Sequence, residues 1–322
     1  MKPCNARVLL VYHSPATFVM NDYRILSRHF QVRRFQWRGK KDLPRLAKFV
    51  LKSDIVLSWF AADHAAAAVA LSRATGRKSV VIVGGVDVAC VPELGYGQMT
   101  RGAHKRFLTK FALKKADAVV AVSRFIKDEV RSIAGARQVH VIYNGVDLTM
   151  FRAGEKEKLV TTIGLATRRG MVLKGVDIFL RVAESVPDAK FLVIGPHDEE
   201  IKGPDNVCFT GKIPHREVAR YLSRTSVYCQ LSYRESFGMG VVEAMSSGCI
   251  PVVSDRGALP EVVGDAGYIV PYGDVNAAAQ AVVRALQAGE AEMVKACRRA
   301  AMFSLERRED ALVELLCDLL SG

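Results

Sequence analysis

The sequence predicts an α/β chain built as two doubly wound domains, and three observations carry that expectation. A length of 322 residues exceeds what one hydrophobic core usually organises, so two domains of about 150 residues each are expected. Half of the residues are apolar and a quarter are charged, which is ordinary globular composition rather than a disordered or fibrous one. Short apolar runs bounded by turn residues alternate with amphipathic helical stretches, and such alternation gives parallel sheets covered on both faces.

In the first half the expected strands are Arg7–Tyr12, Gln31–Phe35, Asp54–Trp59, Ser79–Val83, Ala118–Val122 and Gln138–Ile142. Helical spacing of apolar residues marks Asn21–Arg28, Leu43–Leu51, Ala62–Thr75, Gly102–Lys115 and Arg124–Ala134 between them. Ser123 stands where its hydroxyl can cap the last of these. A second series begins at Leu159, with strands Leu159–Ile163, Lys190–Ile194, Asn206–Phe209, Ser226–Gln230, Ile250–Val253 and Tyr268–Val270. Its helices are expected over Gly175–Ser185, His215–Ser223, Gly240–Ser246 and Val275–Ala288. Asn144-Gly145 marks a turn, and the charged stretch Arg152–Lys156 reads as an exposed linker. A final helix, Arg307–Leu320, places Leu312, Leu315, Leu316 and Leu319 on one stripe.

Composition narrows the function classes. Seven dispersed cysteines form no C-x-x-C pair, so neither a disulfide framework nor a zinc knuckle is expected, and a reducing cytoplasm fits best. The apolar run Val8–Tyr12 is too short for a signal peptide or a membrane span. Charge is uneven. Residues 1–150 hold 25 Lys and Arg against 10 Asp and Glu, whereas residues 151–322 hold 21 against 23. A surplus of +15 in the first half against −2 in the second implies that the first half faces something anionic.

Two doubly wound domains invite a dinucleotide reading, and the glycine pattern argues against it. That reading needs G-x-G-x-x-G directly after the first strand. Here the strand ends Tyr12-His13-Ser14-Pro15-Ala16-Thr17, without glycine. The second series opens with Ile163-Gly164-Leu165-Ala166-Thr167-Arg168-Arg169-Gly170, where the spacing also fails, and no P-loop pattern occurs.

The segment that carries chemistry is Glu235-Ser236-Phe237-Gly238-Met239-Gly240-Val241-Val242-Glu243-Ala244-Met245, which follows a strand and opens a helix. Gly238 and Gly240 let backbone approach a ligand, and the free amides of a helix start favour phosphate oxygens. The two carboxylates stand eight positions apart, one in the loop and one a turn into the helix. Carboxylates accept well from sugar hydroxyls, which suits a ligand with a ribose at one end and a hexose at the other. Taken alone, Glu243 would be a helix-start carboxylate favoured by the macrodipole and Glu235 a solvated loop charge. The glycines between them make the pair a site.

This segment resembles the E-x7-E signature of retaining glycosyltransferases of family 4, whose fold is named GT-B. The neighbouring text agrees: Asn206–Gly211, Gly248–Val253 and Leu259–Val263, with a looser likeness at Ala116–Ser123 and Asn144–Asp147. The resemblance implies two Rossmann-like domains with a cleft between them. The acceptor side would comprise residues 1–147 with a returning helix over 306–322, and the donor side 148–305. It implies that Glu243 bonds the donor ribose and that Glu235 approaches hydroxyls of the transferred sugar. Phe237, Gly238, Met239 and Gly240 would bring backbone to the sugar and diphosphate, and Lys212-Ile213 would meet the nucleobase. Lys174 matches the family lysine that neutralises the diphosphate, with Arg168 or Arg169 beside it and Arg169 at the family's spacing. Gly84-Gly85-Val86-Asp87 resembles the family's H-G-x-D segment, with Asp87 in place as a polar contact near the acceptor and Gly84 where the family has His.

The expected activity is transfer of a hexose from a UDP- or GDP-sugar to an acceptor hydroxyl with retention, in cell-surface glycan or glycolipid synthesis. Neither a metal nor another cofactor is expected. A sugar, lipid-linked or phosphorylated acceptor and an anionic membrane surface are the expected partners, and nucleic acid is not. Location follows as cytoplasmic, with peripheral attachment to the inner membrane face. Two rivals stand beside this reading: a nucleotide-sugar epimerase on the same fold, and a basic binding module that has lost transfer activity.

Overall fold

The computed structural model describes residues 5–136, 138–168 and 170–322. The chain separates into two compact units, Met1–Gly145 with Leu305–Gly322, and Val146–Ser304.

The first unit holds strands β1 (Arg7–Tyr12), β2 (Gln31–Gln36), β3 (Ile55–Trp59), β4 (Lys78–Val83), β5 (Ala118–Ala121) and β6 (Val139–Val141). They form one parallel sheet in the order β2-β1-β3-β4-β5-β6. β3 and β5 are buried along their whole length, as strands covered on both faces should be. The edge strand β2 buries only Phe35 and leaves Arg33 and Arg34 in solvent, where charge discourages pairing with another chain. Phe35 packs with Leu9, Val11, Trp37, Leu46 and Val56. Each crossover carries a helix, and Ser123 caps Arg124–Ala134 by accepting from the Ile126 amide at 3.1 Å.

The second unit holds β7 (Glu157–Ile163), β8 (Lys190–Ile194), β9 (Val207–Phe209), β10 (Thr225–Gln230), β11 (Ile250–Ser254) and β12 (Tyr268–Val270). Their order is β12-β11-β10-β7-β8-β9, again parallel throughout. The core joins Val160, Phe191 and Val227 of the sheet to Phe179 and Val282 of helices Val176–Ser185 and Val275–Gln287.

Short helices at Gly170–Lys174 and Leu259–Val263, and a longer one at Glu290–Ala300, lie where the sequence pattern assigned no element. The stretch Arg152–Lys156, expected as an exposed linker, is exposed over Arg152–Glu155 but is anchored at both ends. Phe151 is fully buried and its carbonyl accepts from the Ser246 hydroxyl at 2.8 Å. Lys156 turns its ammonium inward onto the carbonyls of Leu222, Thr225 and Ser247 at 3.3, 2.8 and 2.6 Å, and burial pulls its pKa below the ordinary lysine value.

The last helix, Leu305–Ser321, belongs to the first unit and buries Leu312, Val313, Leu315 and Leu316. Its anchor is Arg308, buried with Asp22 in a two-toothed ion pair: Nε to Oδ1 at 2.6 Å and Nη2 to Oδ2 at 2.7 Å. Trp59 Nε1 adds a third donor to Asp22 at 2.8 Å, and Arg308 Nη1 donates to the carbonyls of Ile142 and Tyr143. No polar atom of the pair is stranded, which is the condition under which a buried ion pair is tolerated. Removing one partner leaves the other charge unpaired in the interior. Arg308→Ala should therefore lower unfolding free energy by about 3–5 kcal/mol. Urea unfolding measures it, and an unchanged midpoint would contradict the assignment.

Candidate active site

In the second unit the strand order reverses direction of growth between β7 and β10. Ligands of doubly wound sheets bind outside the carboxyl ends of strands at such a switch point. Lys174 and the segment Glu235–Glu243 lie there, on the stretches that follow β7 and β10.

Lys174 ends the short helix after β7, and Glu235 stands in the loop after β10. Their side chains meet, Lys174 Nζ donating to Glu235 Oε2 at 2.7 Å with both groups partly exposed. Gly175 makes the meeting possible. It lies at φ +68, and a Cβ there would collide with the Leu231 carbonyl. The turn is also stitched to the strand end, because Tyr228 Oη donates to Gln230, Gln230 Nε2 to Ser232 Oγ, and Ser232 Oγ to the Lys174 carbonyl. On the far side of the loop, Gly257 at φ +63 packs against the Glu235 backbone, and the Ala258 amide donates to the Glu235 carbonyl at 2.9 Å.

Gly238, at φ +98, starts the helix Met239–Ser246. The first amides of any helix lack an intrahelical acceptor and carry positive partial charge, so this helix offers donors to an anion beside the loop. Gly240 stands under Tyr228, whose hydroxyl would lie 2.6 Å from a Cβ at that position. The Phe237 ring is buried and packs edge-on against Phe303.

Glu243 lies one turn into the helix and is buried at 6% exposure. One of its oxygens, Oε1, is engaged by His215 Nε2 at 3.0 Å. The pair raises the His215 pKa above its ordinary value, against the opposing effect of desolvation. His215 starts the helix His215–Arg224, just beyond exposed Lys212 and half-buried Ile213. Sequence reasoning placed His215 on a helix and gave it no role. Twenty-eight positions from Glu243, it follows no spacing rule, and only the fold brings the two together.

The two arginines stand differently. Arg168 is exposed, with its guanidinium on Glu200 at 2.8 Å. Arg169 lies outside the described residues.

Asp87 belongs to the first unit, in the loop after β4. It was expected as a polar contact near the acceptor, but it is buried at 2% exposure with both oxygens committed to backbone amides: Ala61 N at 2.9 Å and Gly85 N at 2.8 Å. Burial raises its pKa. Its structural work is to tie the loop after β3 to the loop after β4. The loop after β3 contains Phe60, at φ +69 the one non-glycine residue in the left-handed region among those described. The Phe60 ring fills the space that a side chain at Gly84 would need. The absence of His at position 84 and the strained Phe60 are therefore one feature.

Among the described residues no cluster of three or more His, Cys, Asp or Glu could hold a metal ion, and no helix is long and apolar enough to cross a membrane.

Residues 157–288 match the family model of glycosyl transferases group 1, and residues 5–150 match the model of glycosyltransferase family 4. The chain belongs to glycosyltransferase family 4. It is similar to an N-acetyl-alpha-D-glucosaminyl L-malate synthase of Bacillus anthracis, 28% identical over 205 residues that cover 56% of this chain and 53% of that protein. It is also similar to a D-inositol 3-phosphate glycosyltransferase of Mycobacterium bovis, 29% identical over 230 residues that cover 62% of this chain and 48% of that protein. The chain thus spans about half the length of the relatives it matches. Among solved structures, HepE of Anabaena in complex with UDP-glucose matches with a TM-score of 0.74 at 16% identity, covering 98% of this chain and all of that one. With two six-stranded parallel sheets and this likeness, the family 4 chain has the GT-B fold.

The His215–Glu243 pair has a pH signature. A histidine whose folded pKa is raised contributes stability fully below its unfolded value and loses it as pH rises through the folded one. Above the carboxylate range and below pH 6.5 the wild type should therefore melt higher than His215→Gln. The gap should close as pH is raised well beyond that value. A gap independent of pH would show that the pair does not titrate as described.

Proposed function

We propose that this glycosyltransferase moves a hexose from a UDP- or GDP-sugar to an acceptor hydroxyl with retention of configuration and without a metal ion. The observation that carries the reading is the meeting of Lys174 with Glu235 at the switch point, beside the start of the helix that holds Glu243. A nucleoside diphosphate gains negative charge as the glycosidic bond breaks, and a fixed ammonium with helix-start amides stabilises charge that develops there. Lys174 supplies the ammonium, and Gly238, Met239 and Gly240 supply close backbone. Glu243 keeps Oε2 for the ribose hydroxyls while His215 holds Oε1. Glu235 meets the hydroxyls of the transferred sugar, and Lys212-Ile213 border the nucleobase. Arg169 stands at the family's spacing for a second cation.

The Val146–Ser304 unit is the donor side in this reading, and the first unit with its returning helix is the acceptor side. No protein nucleophile is needed if the leaving phosphate takes the acceptor proton on the same face. HepE, solved with UDP-glucose, supports the donor class. The acceptor is read as anionic. Residues 1–150 carry a +15 surplus, and the two relatives are named for L-malate and inositol 3-phosphate. Synthesis of cell-surface glycan or glycolipid at the cytoplasmic membrane face fits such an acceptor.

Two measurements test the site. Glu243→Gln should weaken nucleotide binding, whereas Glu235→Gln should chiefly lower turnover. Each effect should be about 10- to 150-fold, the scale of a lost charged hydrogen bond. Wild-type affinity and rate in both variants would sink the assignment. Transfer should also persist in EDTA, and complete loss restored by manganese or magnesium would replace Lys174 with a metal as the diphosphate partner.

A further inference from the structure

The helix Ala103–Lys115 of the first unit carries charge and apolar surface that the transfer reaction does not use. From Leu94 to Ala116 the chain holds six cations, Arg101, Lys105, Arg106, Lys110, Lys114 and Lys115, and no carboxylate. All six are exposed, and none has a carboxylate partner among the described residues. Lys105 and Arg106 sit in the first turn, which lacks any acidic residue and any side-chain cap. Positive charge there opposes the helix dipole, so these cations do not serve the helix itself.

The same helix exposes Phe107 at 64%, the highest value among the large apolar side chains left in solvent. Phe111 stacks on it at 6.4 Å. Phe107 overhangs two adjoining cavities, of 560 and 430 Å3, and Phe107, Lys110 and Ile133 line both. The first cavity is walled by Met99 and rimmed by Arg106, and the second runs past Phe111 to Lys114 and Lys115. An apolar groove with a cationic rim matches a phospholipid, which presents an acyl chain and a phosphate together. A nucleic acid would engage the cations but leave Phe107 and the groove unused.

We propose that this helix docks the first unit onto a bilayer surface carrying anionic phospholipid, with Phe107 inserted among the acyl chains and the lysines at the headgroups. The proposal deepens the reading of an anionic acceptor side by naming the surface that side lies on. Its test reads lipid binding rather than transfer, so either reading can fail without the other.

The full chain is sedimented with vesicles of phosphatidylcholine alone and of phosphatidylcholine with phosphatidylglycerol. Binding is expected only where phosphatidylglycerol is present, and it should fade with added salt. The triple variant Lys110→Gln, Lys114→Gln, Lys115→Gln should reduce partitioning on the order of a hundredfold. Phe107→Ser, at an exposed position, should reduce binding that survives moderate salt while leaving UDP affinity unchanged. Absence of vesicle binding, equal binding to neutral vesicles, or indifference to both variants would each overturn the proposal. Loss of UDP affinity in the wild type would count against the donor site and leave this surface untouched.

Discussion

The site rests on a close approach of two backbones, Gly175 against the carbonyl of Leu231. No side chain fits there, and the left-handed conformation of Gly175 would itself cost an L-residue about 1–2 kcal/mol. Because the approach is so close, the turn after β7 is held by the end of β10, and Lys174 and Glu235 meet across 61 positions of sequence. The chain of donors from Tyr228 through Gln230 and Ser232 to the Lys174 carbonyl fixes the same register with polar groups that are themselves satisfied. A buried network of this kind holds geometry only when each member has a partner. Glu235 is thus placed by main chain on both sides, by the Lys174-Gly175 turn and by Gly257-Ala258.

The first unit solves a related problem by different means. Its loops after β3 and β4 are joined by a carboxylate rather than by glycine contacts. Asp87 receives one amide from each loop, and the Ala61 carbonyl in turn accepts from the Thr109 hydroxyl at 2.6 Å. This bracing holds Phe60 in a backbone conformation that bulky residues avoid, a kind of strain that persists only where its surroundings enforce it. Phe18 and Trp59 pack around the ring. An aromatic wall thus stands where sequence comparison led one to look for an imidazole.

Much of this was legible in the sequence. Strands read as short apolar runs bounded by turn residues, so β1, β8 and β12 were bounded to the residue. The glycine-spaced carboxylates marked the loop and helix that the structure places at the switch point. What escaped notice depends on distance in the chain. His215 meets Glu243 only through the packing of two helices, and no local pattern announces it. Lys156 looked like linker charge because its three carbonyl partners come from elements dozens of residues away. Asp87 was noticed by position, yet whether a carboxylate faces solvent or two amides is decided by loop geometry. The helix Glu290–Ala300 buries only Ala296 and Ala300, too thin an apolar stripe to read.

The Arg308–Asp22 pair bears on how the chain is made as well as on how it stands. The two residues lie 286 positions apart, and the helix that brings Arg308 is translated after the whole second unit. At about 5–20 residues per second, Asp22 and the indole of Trp59 wait roughly 15–60 s on the ribosome for their partner. Until that helix is made, Asp22 lacks its guanidinium partner, and the apolar surface that Leu312 and Leu316 fill lacks its cover. The second unit, contiguous in sequence, needs no such delay. The half made first is therefore the half completed last, because its closing helix follows the whole second unit in sequence.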